Sequence, residues 1–269
     1  MYANDFEFDG QKLSDYGMII CNFNGGNDIE TVSSGADITF NQFKPSGSNV
    51  FSIYSCTYED SFTTTFHICK NPCLFRTNEE MNISPIEISA LQRWLNKKKY
   101  GKFKILQKDY SDIYWNATFL CKQINLCGSC IGLELTLITD APYAYKDDII
   151  LDFDVSGDLN FTIYNVSDEI GFLNPTIIIK VFSEGDLTIH NSMDNFRTVI
   201  NECKYLEEIQ LDCKNKIITS SVGSHNLCKN FNFIFPKIYN TYENNKNYYT
   251  VSLPCSIKVT YTPIIKVGI

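Results

Sequence analysis

Apolar and polar positions alternate with period two along most of this chain, and that rhythm gives way to a helical one in a single place. Between 84 and 95, Ile88, Leu91 and Leu95 recur at helical spacing with Trp94 beside them, which gives a helix one apolar face. Ser84, Pro85 and Glu87 write its start: a capping box with proline at the first helical position. Lys97, Lys98 and Lys99 are expected in the last turn, where positive charge suits the helix dipole, and Gly101 at the stop. Beyond it Phe103 and Ile105 alternate with lysines, 108–112 is a polar turn, and 113–120 reads as a second strand. The unit is a helix laid on a hairpin.

Upstream, 6–18 reads as a strand, a glycine turn and a short connector, and 19–23 as a further strand. The NGGND segment at 24–28 is a turn. Residues 29–32 and 37–43 alternate around Ser33, Ser34 and Gly35, which predicts a protruding hairpin over 29–43. A second tip, KPSGSN at 44–49, leads into a long β-rich run over 50–69. After the helical unit, 132–139 is a strand that Pro142 closes off. None of these turns has the strand-to-helix setting of a phosphate-binding loop.

The second half carries short segments at fairly even spacing, separated by Gly, Asn and Asp. They fall at 149–155, 159–164, 176–182, 186–191, 196–201, 207–213, 231–235, 248–253 and 256–261. That is the pattern of an antiparallel β-sandwich or jelly roll. The fold class expected is mainly β, in two domains: 1–145, β-sandwich-like with one helix and a protruding hairpin, and 146–269, a β-sandwich.

Composition narrows the function classes. There are 23 Lys plus Arg against 31 Asp plus Glu, net charge −8, which argues against a nucleic-acid surface. With 44% hydrophobic residues, 16 Tyr and 19 Phe the chain is globular. No signal peptide or membrane-spanning run is read. Eleven cysteines, an odd number without a secretory address, read as reduced thiols filling core positions.

Candidate chemistry is sparse. Cys127 and Cys130 have the spacing of half a zinc knuckle, with Cys121, Cys69 and Cys73 as further donors, but the halves are unequal and a plain turn with thiols is the simpler reading. His67, His190 and His225 lie far apart and match no metal or protease motif, and G-x-S-x-G is absent. The pairs Asp147–Asp148 and Glu207–Glu208 read as solvated strand edges. Neither an enzyme nor a cofactor is expected.

Several stretches together resemble the distal tail protein family of long-tailed bacteriophages. They are FEFDG followed by DYG near the start, RWLNKKKYGKFKILQKDYSDIYWNATF in the middle, and DAPY at 140–143. In the second half, GDLTIHN, EIQLDCKNKII, FNFIFPKI and IKVTYTPIIKVG agree as well. The resemblance implies a ring-forming N-terminal domain, a galectin-like C-terminal sandwich and a homo-hexamer ring. It also implies a place in the virion tail after synthesis in the bacterial cytoplasm. The partners implied are the tail tube protein, the tail-tip or baseplate hub protein and the receptor-binding protein, with no membrane and no nucleic-acid sequence recognition.

For the ring interface the sequence points to Ile29, Thr31, Val32, Ile38 and Phe40 on the hairpin, with Trp94 on the helix behind it. The alternative function is a carbohydrate-binding module that touches the bacterial envelope. For it, Tyr239, Tyr242, Tyr248 and Tyr249 surround an Asn-rich loop at 240–247 that offers stacking rings and amide donors to a partner or glycan. A test follows from the thiol reading: denatured, unreduced protein should titrate with all 11 cysteines free and carry no stoichiometric zinc by elemental analysis.

Overall fold

A computed structural model of the chain describes residues 3–23, 35 and 37–268. The chain divides into two compact units, Met1–Tyr145 with Lys266–Ile269, and Lys146–Ile265. The last four residues therefore count with the first unit.

In the first unit an antiparallel sheet runs in the order Gln11–Lys12, Phe6–Phe8, Gly101–Ile105, Ile113–Leu126, Ser129–Thr139, Thr63–Lys70, Met18–Cys21. The helix is Pro85–Leu95. Its capping box is closed in both directions: Glu87 N–H donates to Ser84 Oγ at 3.3 Å, and Ser84 N–H to the Glu87 carboxylate at 2.7 Å. Glu87 also holds the nearly buried Lys70 at 2.8 Å. Ile88, Leu91, Trp94 and Leu95 are its buried face, as their spacing requires.

The three lysines lie past the helix and not in its last turn, because Asn96 already leaves helical geometry. Lys97 instead reaches Asp9 at 2.5 Å, and its carbonyl accepts from the Thr118 hydroxyl. Gly101 likewise is not a helix stop but the first residue of a strand. A Cβ there would lie 2.5 Å from the Asp9 carboxylate, which accepts from Lys102 N–H at 3.0 Å. A side chain at 101 would break that tie.

The core under the helix is aromatic. Trp94 is stacked on Tyr16 with ring centroids 4.6 Å apart and on Phe6 at 5.7 Å. Phe66, Phe103 and Phe119 close around Phe6. The indole N–H donates to the Phe8 carbonyl at 3.0 Å, so the one polar atom of the wedge is satisfied inside the core.

The hairpin around Phe40 differs from the one expected. Ile38–Phe43 pairs with Ser52–Tyr58, so the tip is 44–51. The expected partner strand, 29–32, lies outside the described residues. The Cys127–Cys130 segment is a tight turn between Ile113–Leu126 and Ser129–Thr139, with φ of 51° at Cys127 and 87° at Gly128. Cys127 is exposed at its tip. Cys130, Cys203, Cys213 and Cys255 are buried, but Cys56, Cys73, Cys127 and Cys228 are exposed, so only part of the thiol set fills the core.

The second unit is a two-sheet sandwich. One sheet runs Ile149–Val155, Cys255–Tyr261, Thr176–Val181, Glu208–Asp212, Ile217–Ser220; the other runs Asn160–Tyr164, Lys246–Val251, Gly185–Asn191, Arg197–Cys203. Alternate residues of both sheets, among them Phe161, Ile179, Leu187, Ile200, Leu211 and Val259, form the buried layer between them. The stretch 231–235, expected as a strand, forms only one bridge, Phe231 to Ile200. The Asn232 side chain takes over the pairing there: its amide donates to the Arg197 carbonyl and its oxygen accepts from Val199 N–H. Phe233 then turns outward at φ 57°.

The stacked indole sets a test of the first unit. Trp94→Ala should cost about 4 kcal/mol of unfolding free energy, and Trp94→Phe, which keeps most of the ring but loses the bond to the Phe8 carbonyl, about 1–2 kcal/mol. Denaturant midpoints at unchanged slope would report both.

Candidate functional site

The hairpin is the surface where burial is left incomplete. Its register sets Ile38 opposite Tyr58 and Phe40 opposite Cys56, and sets Thr39 opposite Thr57 and Asn41 opposite Ser55. Opposed residues share a face, so Ile38, Phe40, Cys56 and Tyr58 stand with Gln42 and Ile53 on a mainly apolar face, and Thr39, Asn41, Ser55 and Thr57 stand with Phe43 and Ser52 on a mainly polar one. On the polar face Asn41 Nδ2 donates to Ser55 Oγ at 2.9 Å. The register shifts after Asn41, leaving Tyr54 as the extra residue of a bulge. Its ring lies 6.3 Å from that of Phe43. Toward the tip, Val50 and Phe51 add exposed apolar surface, with the Lys44 ammonium over the Phe51 ring.

Phe40 and Ile53 are 54% and 57% exposed, and Ile38, Phe43 and Tyr54 are exposed with them. Among the described residues the hairpin pairs with no other strand. A two-stranded ribbon is marginal on its own in water, and an apolar patch on one marks an interaction surface. Of the predicted interface residues, Ile38 and Phe40 stand on this face. Ile29, Thr31 and Val32 lie outside the described residues. Trp94 is a correction: it is 5% exposed inside the aromatic core, with no surface to offer a partner.

The tyrosines around the Asn-rich loop do not converge on one side. Tyr249 is buried, stacked 4.8 Å from Phe161, and its hydroxyl donates to the Lys237 carbonyl at 2.7 Å. Burial, and then Cys213 beside it, push its phenol up. It is part of the sandwich core and not of a binding face. Tyr239 is half-buried, its phenol pushed up to about 12 by burial and then by Asp194, and its ring lies against Phe172. Tyr242 is 91% exposed and Tyr248 stands outward on its strand.

The loop's amides are already engaged. Asn247, fully buried, accepts from Tyr239 N–H at 2.7 Å and from Asn191 Nδ2 at 2.8 Å, and donates to the Tyr239 and Asn245 carbonyls. Asn240 donates to the Ser167 and Glu169 carbonyls, and Asn245 to that of Asn165. Asn244 accepts from Lys246 N–H. These side chains do the work of a sheet ladder where the backbone of this edge turns away. Only alternation, which sends Tyr248 out and Tyr249 in, could have shown this in the sequence; the amide pairing had no signal.

Among the described residues no group of His, Cys, Asp and Glu side chains can hold a metal, and no helix is long and apolar enough to cross a membrane. His67 stands on the outer face of the first sheet, 3.7 Å from Glu134.

Comparison with known proteins gives the class. A family model for the N-terminal domain of phage tail proteins matches residues 1–141, and one for a phage tail C-terminal domain matches 143–261. The chain belongs to this family: it is a structural protein of a phage tail. It is mainly β, as the resemblance implied. Among solved structures, the Dit protein of phage SPP1, described as a paradigm of the hub adsorption apparatus in phages that infect Gram-positive bacteria, shares the fold. The TM-score is 0.66 at 12% identity, over 96% of this chain and 98% of that one. A comparison with curated protein sequences returns no match.

The amide network carries its own test. Asn247→Ala strands several buried backbone and side-chain groups at once and should cost about 3 kcal/mol or more. If the loop amides served a ligand and not the fold, the same change would leave thermal unfolding of the second unit where it was.

Proposed function

We propose that this chain is the hub at the distal end of a phage tail: a homo-hexamer ring that joins the tail tube to the tail-tip or baseplate proteins and the receptor-binding protein. The observation that carries the proposal is the exposed apolar face of the Ile38–Phe43 and Ser52–Tyr58 hairpin. That face needs a cover, and a second copy of the chain supplies one. A tail tube is a hollow stack of rings, so a subunit at its end has to repeat about the tube axis and leave a passage. Identical subunits do this through a head-to-tail contact whose rotation closes. The similarity in fold to a hub protein supports the same reading.

The first unit is then the ring former, with the hairpin as its reaching element and the helix unit as the rigid body behind. The second unit offers a sandwich surface for tail-tip or receptor-binding proteins. Its role is docking and carries no catalytic step. Sugar recognition is the weaker reading, because the loop amides that it would use are spent on the fold.

The double change Phe40→Lys and Ile53→Lys removes the apolar face without touching either core. It should convert the ring to a folded monomer, by sedimentation and negative-stain images, with the melting temperature of the monomer within about 2 °C of a dissociated wild-type reference. Wild-type protein that stays monomeric at high concentration, and also fails to bind tube-end and tail-tip proteins, would rule the hub out.

A further inference from the structure

The outer face of the first sheet brings two thiols together. Met18–Cys21 is its edge strand and pairs, among the described residues, only with Thr63–Lys70. The register sets Cys21 opposite His67 and Ile19 opposite Cys69. Opposed side chains share a face, and so do those two apart on one strand. Cys21 therefore stands diagonally across from Cys69 on the face that carries His67. The Cys21 S–H donates to the Cys69 sulfur, and both residues are half-buried, within reach of solvent.

Phe23 closes one side of the pair. Its ring lies on the bare backbone of Gly132, the residue opposite Cys69, where a Cβ would collide with it. The same ring stands edge-on to His67 with centroids 5.8 Å apart. The chain is thus held against the sheet just past Cys21, which keeps the two sulfurs in register.

This pair differs from the other cysteines. Among the described residues no other two thiols share a hydrogen bond. Cys203 and Cys255 act on one another, but burial first of all pushes them up to about 11 and about 12, so neither supplies the thiolate that exchange requires. Cys56, Cys73, Cys127 and Cys228 are exposed singly. On Cys69 the balance is reversed: the bond from Cys21 outweighs burial and holds its thiol below the ordinary range. Cys21, the donor, is pushed up by that bond and then by burial.

We propose that Cys21 and Cys69 are a modification site, closing to a cross-strand disulfide by exchange with a small-molecule disulfide such as oxidised glutathione. The Cys69 thiolate attacks one sulfur of the reagent, breaks its S–S bond and releases one glutathione thiolate, which leaves a mixed disulfide. Cys21 gives up its proton, and its sulfur attacks the Cys69 sulfur and expels the second glutathione thiolate. The protons of the two cysteines end on the two released thiols, so the protein is oxidised and the reagent reduced. Ile38–Phe43 and Ser52–Tyr58 lie between the two positions in sequence. The bond therefore fixes an edge strand to its one neighbour and closes the segment bearing the hairpin into a loop of about 50 residues. It forms whether or not the hairpin meets a second copy.

The test uses the full chain, reduced, freed of reductant and exposed to oxidised glutathione at mildly alkaline pH. Peptide mapping without reduction should recover Cys21 and Cys69 cross-linked, lighter by two hydrogens, as the main product at these positions. Cys56, Cys73, Cys127 and Cys228 should carry glutathione instead. The melting temperature of the first unit should rise by about 5 °C and fall back when a dithiol reductant is added. Cys21→Ser should leave glutathione on Cys69 and abolish the rise. A wild-type map in which Cys69 keeps glutathione or stays free, or a cross-link that appears only in denaturant, overturns the site. A link formed without the rise overturns the fastening of the edge strand. The wild-type map decides the matter even where a variant does not fold.

Discussion

An antiparallel sheet satisfies its own backbone but leaves an apolar face that something else has to cover. Most of this structure follows from how that need is met. In the first unit the cover is a single helix, whose indole sits between Tyr16 and Phe6 and bonds the Phe8 carbonyl. In the second unit two sheets cover each other. The hairpin of Ile38–Phe43 and Ser52–Tyr58 has an apolar face with no strand or sheet of its own chain paired to it among the described residues. Since burial is the dominant favourable term in association as well as in folding, the same rule that builds the units leads outward to assembly.

Asparagine plays a second part. Where strand edges turn away from a ladder partner, Asn165, Asn191, Asn232, Asn240 and Asn247 hand their amides to backbone groups. Each side chain carries both a donor and an acceptor, so it can imitate a peptide unit. A buried backbone group without a partner is costly, so these amides cannot also serve a ligand. An asparagine-rich loop beside tyrosines looks the same in sequence whether it binds sugar or braces a sandwich. The difference lies in which groups reach it from residues far along the chain, as Asn191 reaches Asn247.

The same distinction governs what the sequence made legible. The helix start at Ser84, Pro85 and Glu87 was readable because all its partners lie within one turn. The sandwich strands were readable because alternation is local, and most of the expected segments are strands. Partner choice was not readable. Nothing near Lys97 points to Asp9, 88 positions away, and the lysine therefore looked like a helix-end charge. Alternation around 37–43 marks a strand and its faces but is silent on which neighbour it pairs with, here Ser52–Tyr58. Trp94 looked like surface because a helix stripe does not say whether its cover comes from its own chain or from another.

Glu207 shows how far alternation alone can go when it is pressed. Side by side, Glu207 and Glu208 read as a solvated edge, a reading that treats the two carboxylates as equivalent. On an extended segment consecutive side chains point to opposite faces. Where one face is core, one of two adjacent acids has to be buried. The alternation of Ile209 and Leu211, both buried, fixes which one: Glu207 shares their face and Glu208 does not. A buried carboxylate demands donors or a counter-charge, so the pattern already required partners for Glu207. The sequence left open only that they would be Ser220 and His225, brought in by the strand and loop that follow.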